Sequence, residues 1–161
     1  INIAPDLMTK RDIVQNAINF CHALGVDVPK VAILSAVEKV KPALQSTIDA
    51  AALCKMSDRG QLTGGIIDGP LAFDNAISQQ AALDKHIKSV VSGDADILLA
   101  PDLESANMIA KQLIYLADAK SAGIALGARV PIILTSRSEQ ALGRLASCAL
   151  ASHMVLHPNG L

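Results

Sequence analysis

The 161 residues suffice for one domain or two small subdomains, and the net charge of -1 is spread without a long run of one sign. That balance excludes a nucleic-acid surface, which needs a basic patch, and argues against a helix lying on a membrane. Hydrophobic residues make up 51% and aromatic residues only 2%, with no Trp, so the core has to be built from Ala, Leu, Ile and Val.

Val14, Ala17, Ile18 and Cys21 recur at helical spacing and predict a helix over 9–24, capped by Thr9 and closed by Gly25 in a left-handed turn. Val31 to Leu34 form a short apolar strand ending at Ser35. Ile48, Ala51, Ala52 and Met56 share a face of a second helix, over 46–59, which Gly60 stops. A weaker strand over 62–67 runs into Asp68-Gly69-Pro70, a strong turn signal. Ala76, Leu83, Ile87 and Val90 predict one long helix over 73–91, broken by Ser92-Gly93. The clearest strand, 97–100, ends at Pro101-Asp102. A helix follows over 105–117, then a short strand over 124–126. Pro131 to Leu134 read as a buried strand turning directly into a helix over 138–152, and the tail after His153 reads as short and irregular. Uniformly apolar strands alternating with helices predict an α/β fold, a mostly parallel sheet flanked by helices.

In such a sheet the ligand sits beyond the carboxyl ends of the strands. The expected edge therefore carries Ser35, Asp68-Gly69-Pro70, Pro101-Asp102 and Thr135-Ser136-Arg137. The last of these is the most suggestive. A helix opening straight out of a strand aims its first N–H groups at one point, a ready anion site, and Ser136 and Arg137 stand there. Ser136 with Glu139 also fits a capping box, a role compatible with turning toward a bound anion. A cation is disfavoured at the positive end of a helix, so Arg137 either meets a compensating anion or is simply solvated. Asp68 reads as a turn residue, either Asp102 or Ser105 as the cap of the following helix, and Asn107 faces either the cleft or solvent.

Cys21, Cys54 and Cys148 have neither disulfide nor metal spacing, which fits a reducing cytoplasm. His153 and His157 are four apart with no third ligand near, so no metal is expected. No apolar run reaches the roughly 20 residues of a membrane span, and there is no signal-peptide pattern. A chain opening on Ile1 is expected to be less than a complete gene product.

Several stretches together carry a likeness. They are Lys30 to Ser35, Asp68 to Ile77, Ala95 to Met108, Lys111-Gln112-Leu113, Gly127 to Pro131 and Leu134 to Arg137. In these the chain resembles the phosphate acetyltransferase and phosphate butyryltransferase family. Asp49 to Gly60 and the stretch from Asp68 to Ser78 look especially like the bifunctional enoyl-CoA hydratase/phosphate acetyltransferases. The resemblance implies acyl transfer between phosphate and coenzyme A by direct thiolate attack on an acyl phosphate. Coenzyme A is then a substrate, and no metal or other cofactor enters the chemical step.

It also implies roles. Arg137 would bind the phosphate and polarise the carbonyl, and Ser136 would hydrogen-bond the developing oxyanion. Asp68, Asp102, Asn107, Arg129 and Thr135 would bind substrate. The family's thiol base is an aspartate seven residues after the serine; that place is Gly143 here, and Glu139 is the nearest acid. The implied architecture is the two-domain isocitrate/isopropylmalate dehydrogenase type, in a cytoplasmic homodimer without nucleic-acid or membrane partners. Residues 1–126 would form the second domain, and 127–161 would return to a first domain whose N-terminal part is absent. Such a piece alone would be inactive. Competing readings are a phosphate butyryltransferase, a metal- and nicotinamide-dependent dehydrogenase relative of the same fold, and a non-catalytic fragment.

Overall fold

The computed structural model describes residues 1–157. The elements follow in chain order as α1 (Leu7–Ala23), β1 (Lys30–Leu34), α2 (Gln45–Asp58), β2 (Ile66–Leu71), α3 (Phe73–Ile77) and α4 (Gln79–Asp84). Then come β3 (Ile97–Leu99), α5 (Leu103–Leu116), β4 (Ile124–Ala125), β5 (Ile132–Ile133) and α6 (Ala141–Leu156). Pro158 to Leu161, part of the expected irregular tail, lie outside the described residues; ahead of them α6 continues past His153 to Leu156.

Strand β1 is the centre of a parallel sheet ordered β2-β1-β3, with Val31 opposite both Ile67 and Ile97. Alternation along β1 sends its side chains to two separate cores. Val31 and Ile33 pack with Val14 and Ile18 of α1 and Ala50 and Leu53 of α2. Ala32 and Leu34 pack with Leu71, Ala76 and Val91, joined by Ile109 of α5. Each fully buried Leu or Ile contributes about 1.5–3 kcal/mol, so these two layers carry the fold. In β1 the apolar run thus means what its composition predicts, burial on both faces, whereas β5, expected to be buried, has Ile132 and Ile133 exposed.

Three local expectations are corrected. First, α1 begins earlier than Thr9: the Asp6 carboxylate caps it by accepting the Thr9 amide at 2.8 Å. Second, Asp68-Gly69-Pro70 is not a turn but part of β2, shifted along from the expected 62–67. Edge strands tolerate Pro because one side of their backbone is unpaired. Gly69 is required there by close approach: a Cβ on it would lie 2.7 Å from the Ile33 Cβ and 2.8 Å from the Ile33 carbonyl oxygen. Third, the long helix over 73–91 breaks at Ser78, which ends α3 and caps α4 through its hydroxyl, accepting the Ala81 amide at 3.3 Å. Local capping by Ser overrides the apolar period, and the stretch after α4 reaches β3 without further helix, delivering Ile87 and Val91 to the second core.

The C-terminal region departs most. β4 and β5 do not join the parallel sheet; they pair antiparallel with each other, Ile124 opposite Ile133. Gly123 makes this possible, since a Cβ there would fall 2.0 Å from the Leu134 carbonyl oxygen. Nor does β5 turn directly into a helix. A turn closed by the Glu139 amide donating to the Ser136 carbonyl oxygen at 3.0 Å intervenes, and α6 starts at Ala141 behind Gln140. Ser136 is therefore not the helix cap, and the capping-box reading fails. Helix α6 then buries Gly143, Ser147, Ala151 and Met154 and is pinned to α1, with His153 Nε2 donating to the Ala23 carbonyl oxygen at 2.7 Å.

Candidate functional site

Two of the expected site residues line cavities, Asp102 one and Ser136 another. The first opens where the sheet logic puts it. The chain leaves β1 to one side for β2 and reaches β3 on the other, so a crevice lies beyond the carboxyl ends of β1 and β3. It measures about 630 Å³ and is lined by Lys10, Gln45, Ser46, Asp49, Pro101 and Asp102, among others. Its floor is an internally satisfied network. Lys10 Nζ donates to Asp49 at 2.7 Å with both side chains only 7% exposed, and Gln45 donates to the other Asp49 oxygen at 2.8 Å. Asp102 caps α5, accepting the Ser105 amide at 2.8 Å and its hydroxyl at 2.6 Å. Those bonds hold the Asp102 carboxyl below the usual carboxylate range.

The second cavity, about 330 Å³, lies between α5, the loop after it and the start of α6. Lys111 of α5 donates to Ser136 Oγ at 3.1 Å, and Tyr115, one turn on, donates to Ser138 Oγ at 3.3 Å. The two serine hydroxyls are 3.1 Å apart. Lys111 lies 5.8 Å from the Tyr115 ring centroid, within range of a cation–π contact. Because Ser136 Oγ accepts from an ammonium, its own proton is free to be given to Ser138 or to an anion. Gln140, Leu142 and Gly143 bring the start of α6 to the same space, and Gln140 offers no side-chain cap there. The positive end of a helix, an ammonium and hydroxyl donors together make a seat for negative charge.

The expected convergence of four strand ends is thus only partly realised. The ends of β1 and β3 meet at the crevice, carrying Ser35 and Asp102. Asp68 lies within β2 and bonds its own neighbour, accepting the Gly69 amide at 2.8 Å. Thr135-Ser136-Arg137 follows β5 of the other sheet, and Ser136 faces the α5–α6 cavity. Thr135 is half-buried, while Asn107, Arg129 and Arg137 are exposed with no ion pair among the described residues. Among those residues no three His, Cys, Asp or Glu side chains converge as metal ligands, and no helix is long and apolar enough to cross a membrane.

A family model described as Phosphate acetyl/butaryl transferase matches residues 1–152. The chain belongs to that family. It is 62% identical over 152 residues to a phosphate acetyltransferase of Rhizobium meliloti, covering 94% of this chain and 48% of the relative. It is 52% identical over 151 residues to a probable phosphate butyryltransferase of Bacillus subtilis, covering 94% and 50%. Among solved structures, a branched-chain phosphotransacylase from Enterococcus faecalis V583 superposes with a TM-score of 0.87 at 34% identity, over 98% of this chain and 56% of that one. The chain spans about half the length of the curated relatives it matches.

Sequence reasoning singled out Ser136 but not the residues that hold it. Lys111 and Tyr115 are four apart on one face of α5, the spacing that lets two side chains act together. Two polar groups at that interval on an apolar helix were the available signal. Ser121 and Ser138 carry no such pattern; only the fold brings them to the cavity.

Proposed function

We propose that the protein carrying this chain transfers a short acyl group between phosphate and coenzyme A. The observation that supports this most is the hold of Lys111 on Ser136, in a cavity where donors and a helix N-terminus converge. The thiolate sulfur of coenzyme A attacks the carbonyl carbon of an acyl phosphate, the C–S bond forms, the C–O bond to phosphate breaks, and phosphate leaves with that electron pair. Negative charge gathers on the carbonyl oxygen on the way. Ser136 hydrogen-bonds that oxygen, Arg137 binds the phosphate and polarises the carbonyl, and Lys111 keeps the serine oriented. Thr135, Arg129 and Asn107 contact substrate, as do Asp68 and Asp102 from the parallel sheet. No metal enters the step.

We assign residues 1–126 to a second domain and 127–161 to a segment returning to a first, in the isopropylmalate-dehydrogenase arrangement. The exposed Ile132, Ile133 and Leu134, apolar side chains that a first domain would cover, support that division. The whole enzyme acts as a cytoplasmic homodimer, and this piece alone is inactive. A butyryl substrate is the second reading, favoured by the butyryltransferase relatives. The test is direct. The intact protein, given acetyl or butyryl phosphate with coenzyme A and a chelator, should form acyl-CoA thioester and release phosphate in equal amounts. Absence of thioester with both substrates overturns the proposal.

A further inference from the structure

Attack by a thiol requires that its proton go somewhere, because the thiolate is the nucleophile and a free thiol ionises only near pH 8.5. Two carboxylates line the α5–α6 cavity, Asp118 and Glu139. Asp118 is 93% exposed and paired with Lys120. Glu139 is half-buried and fixed: Ser121 Oγ lies 3.1 and 3.0 Å from its two oxygens and can donate to only one at a time, leaving the other free to accept. Its position is made by a glycine. A Cβ on Gly143 would fall 2.2 Å from Glu139 Oε1 and 2.6 Å from its carboxyl carbon, so the carboxylate occupies the room that any side chain at 143 would take. The Glu139 amide also closes the turn on Ser136, tying the carboxylate to the residue proposed at the reacting carbonyl.

On the reading that this is an acyl-CoA–phosphate transferase, we infer that Glu139 is the general base that accepts the coenzyme A thiol proton. The sulfur lone pair left behind makes the C–S bond, and the proton held by Glu139 passes to the departing phosphate or to water. The charged and titratable groups lining the same cavity are Lys111, Tyr115, Asp118 and Lys120. None of the four is hydrogen-bonded to Glu139, so the carboxylate keeps its accepting oxygen for a ligand.

The inference is tested in the intact protein with Glu139→Gln, followed across pH 6 to 9. A base predicts that kcat/KM falls on the order of 10²–10⁴-fold at pH 7. It also predicts that the deficit shrinks about tenfold per pH unit as the thiol approaches its own ionisation near 8.5. A merely structural role gives a deficit independent of pH. A second pair keeps the question decidable if that variant is poorly folded: Glu139→Ala should lose the rate, and Glu139→Ala with Gly143→Asp should recover part of it, since an Asp side chain at 143 enters the vacated place. A wild-type pH profile in Glu139→Gln, or no recovery in the double variant, overturns the role of Glu139 while leaving the transferase reading intact. Failure of the unaltered protein to make any acyl-CoA overturns that reading instead.

Discussion

Arg137 and Lys111 are both cations near Ser136, and they are placed for different work. Lys111 is half-buried and already committed to the serine hydroxyl, whereas Arg137 is exposed and has no carboxylate partner among the described residues. A planar guanidinium can grip a phosphate bidentately. Arg137→Ala is therefore expected to lower kcat/KM by on the order of 10²–10³, the usual loss for one preorganised donor. Steady-state kinetics with acetyl phosphate would check it, and an unchanged kcat/KM would place Arg137 away from the reacting groups. The cysteines differ as sharply. Burial, with Asp68 and Asp58 nearby, pushes the Cys54 thiol up to about 11, while Cys148 is exposed on α6. Thiolate is the reactive form. Alkylation at pH 8 followed by peptide mass mapping should label Cys148 first and Cys54 last.

At the scale of elements, α5 matters most because it carries Lys111 and Tyr115 to the cavity. It buries none of its residues completely, so its cap weighs heavily on its position. Losing an Asp cap costs about 1 kcal/mol. The hydrogen bonds from Ser105 hold the Asp102 carboxyl low in the folded state. Its contribution is therefore present above the unfolded value, about 3.9, and is lost as pH falls through the lower folded value. Chemical denaturation of wild type and Asp102→Ala should show a gap at pH 7 that closes as the solution is acidified below about pH 4. Equal gaps at both pH values would remove Asp102 from the cap. In β2, Gly69→Ala should cost about 1–3 kcal/mol by the same measurement, because the added methyl meets the β1 backbone. The sequence marks Asp68-Gly69-Pro70 as a turn from composition alone. The need for glycine there comes from a neighbouring strand, which no local pattern reveals.

For the whole molecule, the Lys10–Asp49 pair joins α1 to α2 under the sheet-edge crevice. Breaking a buried pair from one side leaves an uncompensated charge and costs about 3–5 kcal/mol, whereas replacing both partners with apolar residues is often neutral. Lys10→Met should be far less stable than Lys10→Met with Asp49→Leu, as judged by denaturant midpoints. The two cavities also keep apart residues that one sheet edge is expected to bring together. Asp102 and Ser35 sit at the parallel sheet, and Ser136 sits with α5 and α6.

What the sequence determined by itself is what local physics encodes: the apolar strands, the helices with an apolar stripe, the glycine stops at Gly25 and Gly60 with φ of 85° and 71°, and the parallel α/β core. The motifs also named the family, since they lie in order along nearly the whole chain. Tertiary structure alone decided the rest. Whether β5 joins the parallel sheet depends on strand pairing across the chain, and an Ile-Ile run fits either partner. Whether Ser136 caps a helix depends on where α6 begins, which the turn at 136–139 sets. Lys111, Ser121 and Glu139 lie up to 28 positions apart in the sequence, and only the packing of α5 against the start of α6 brings them to one cavity.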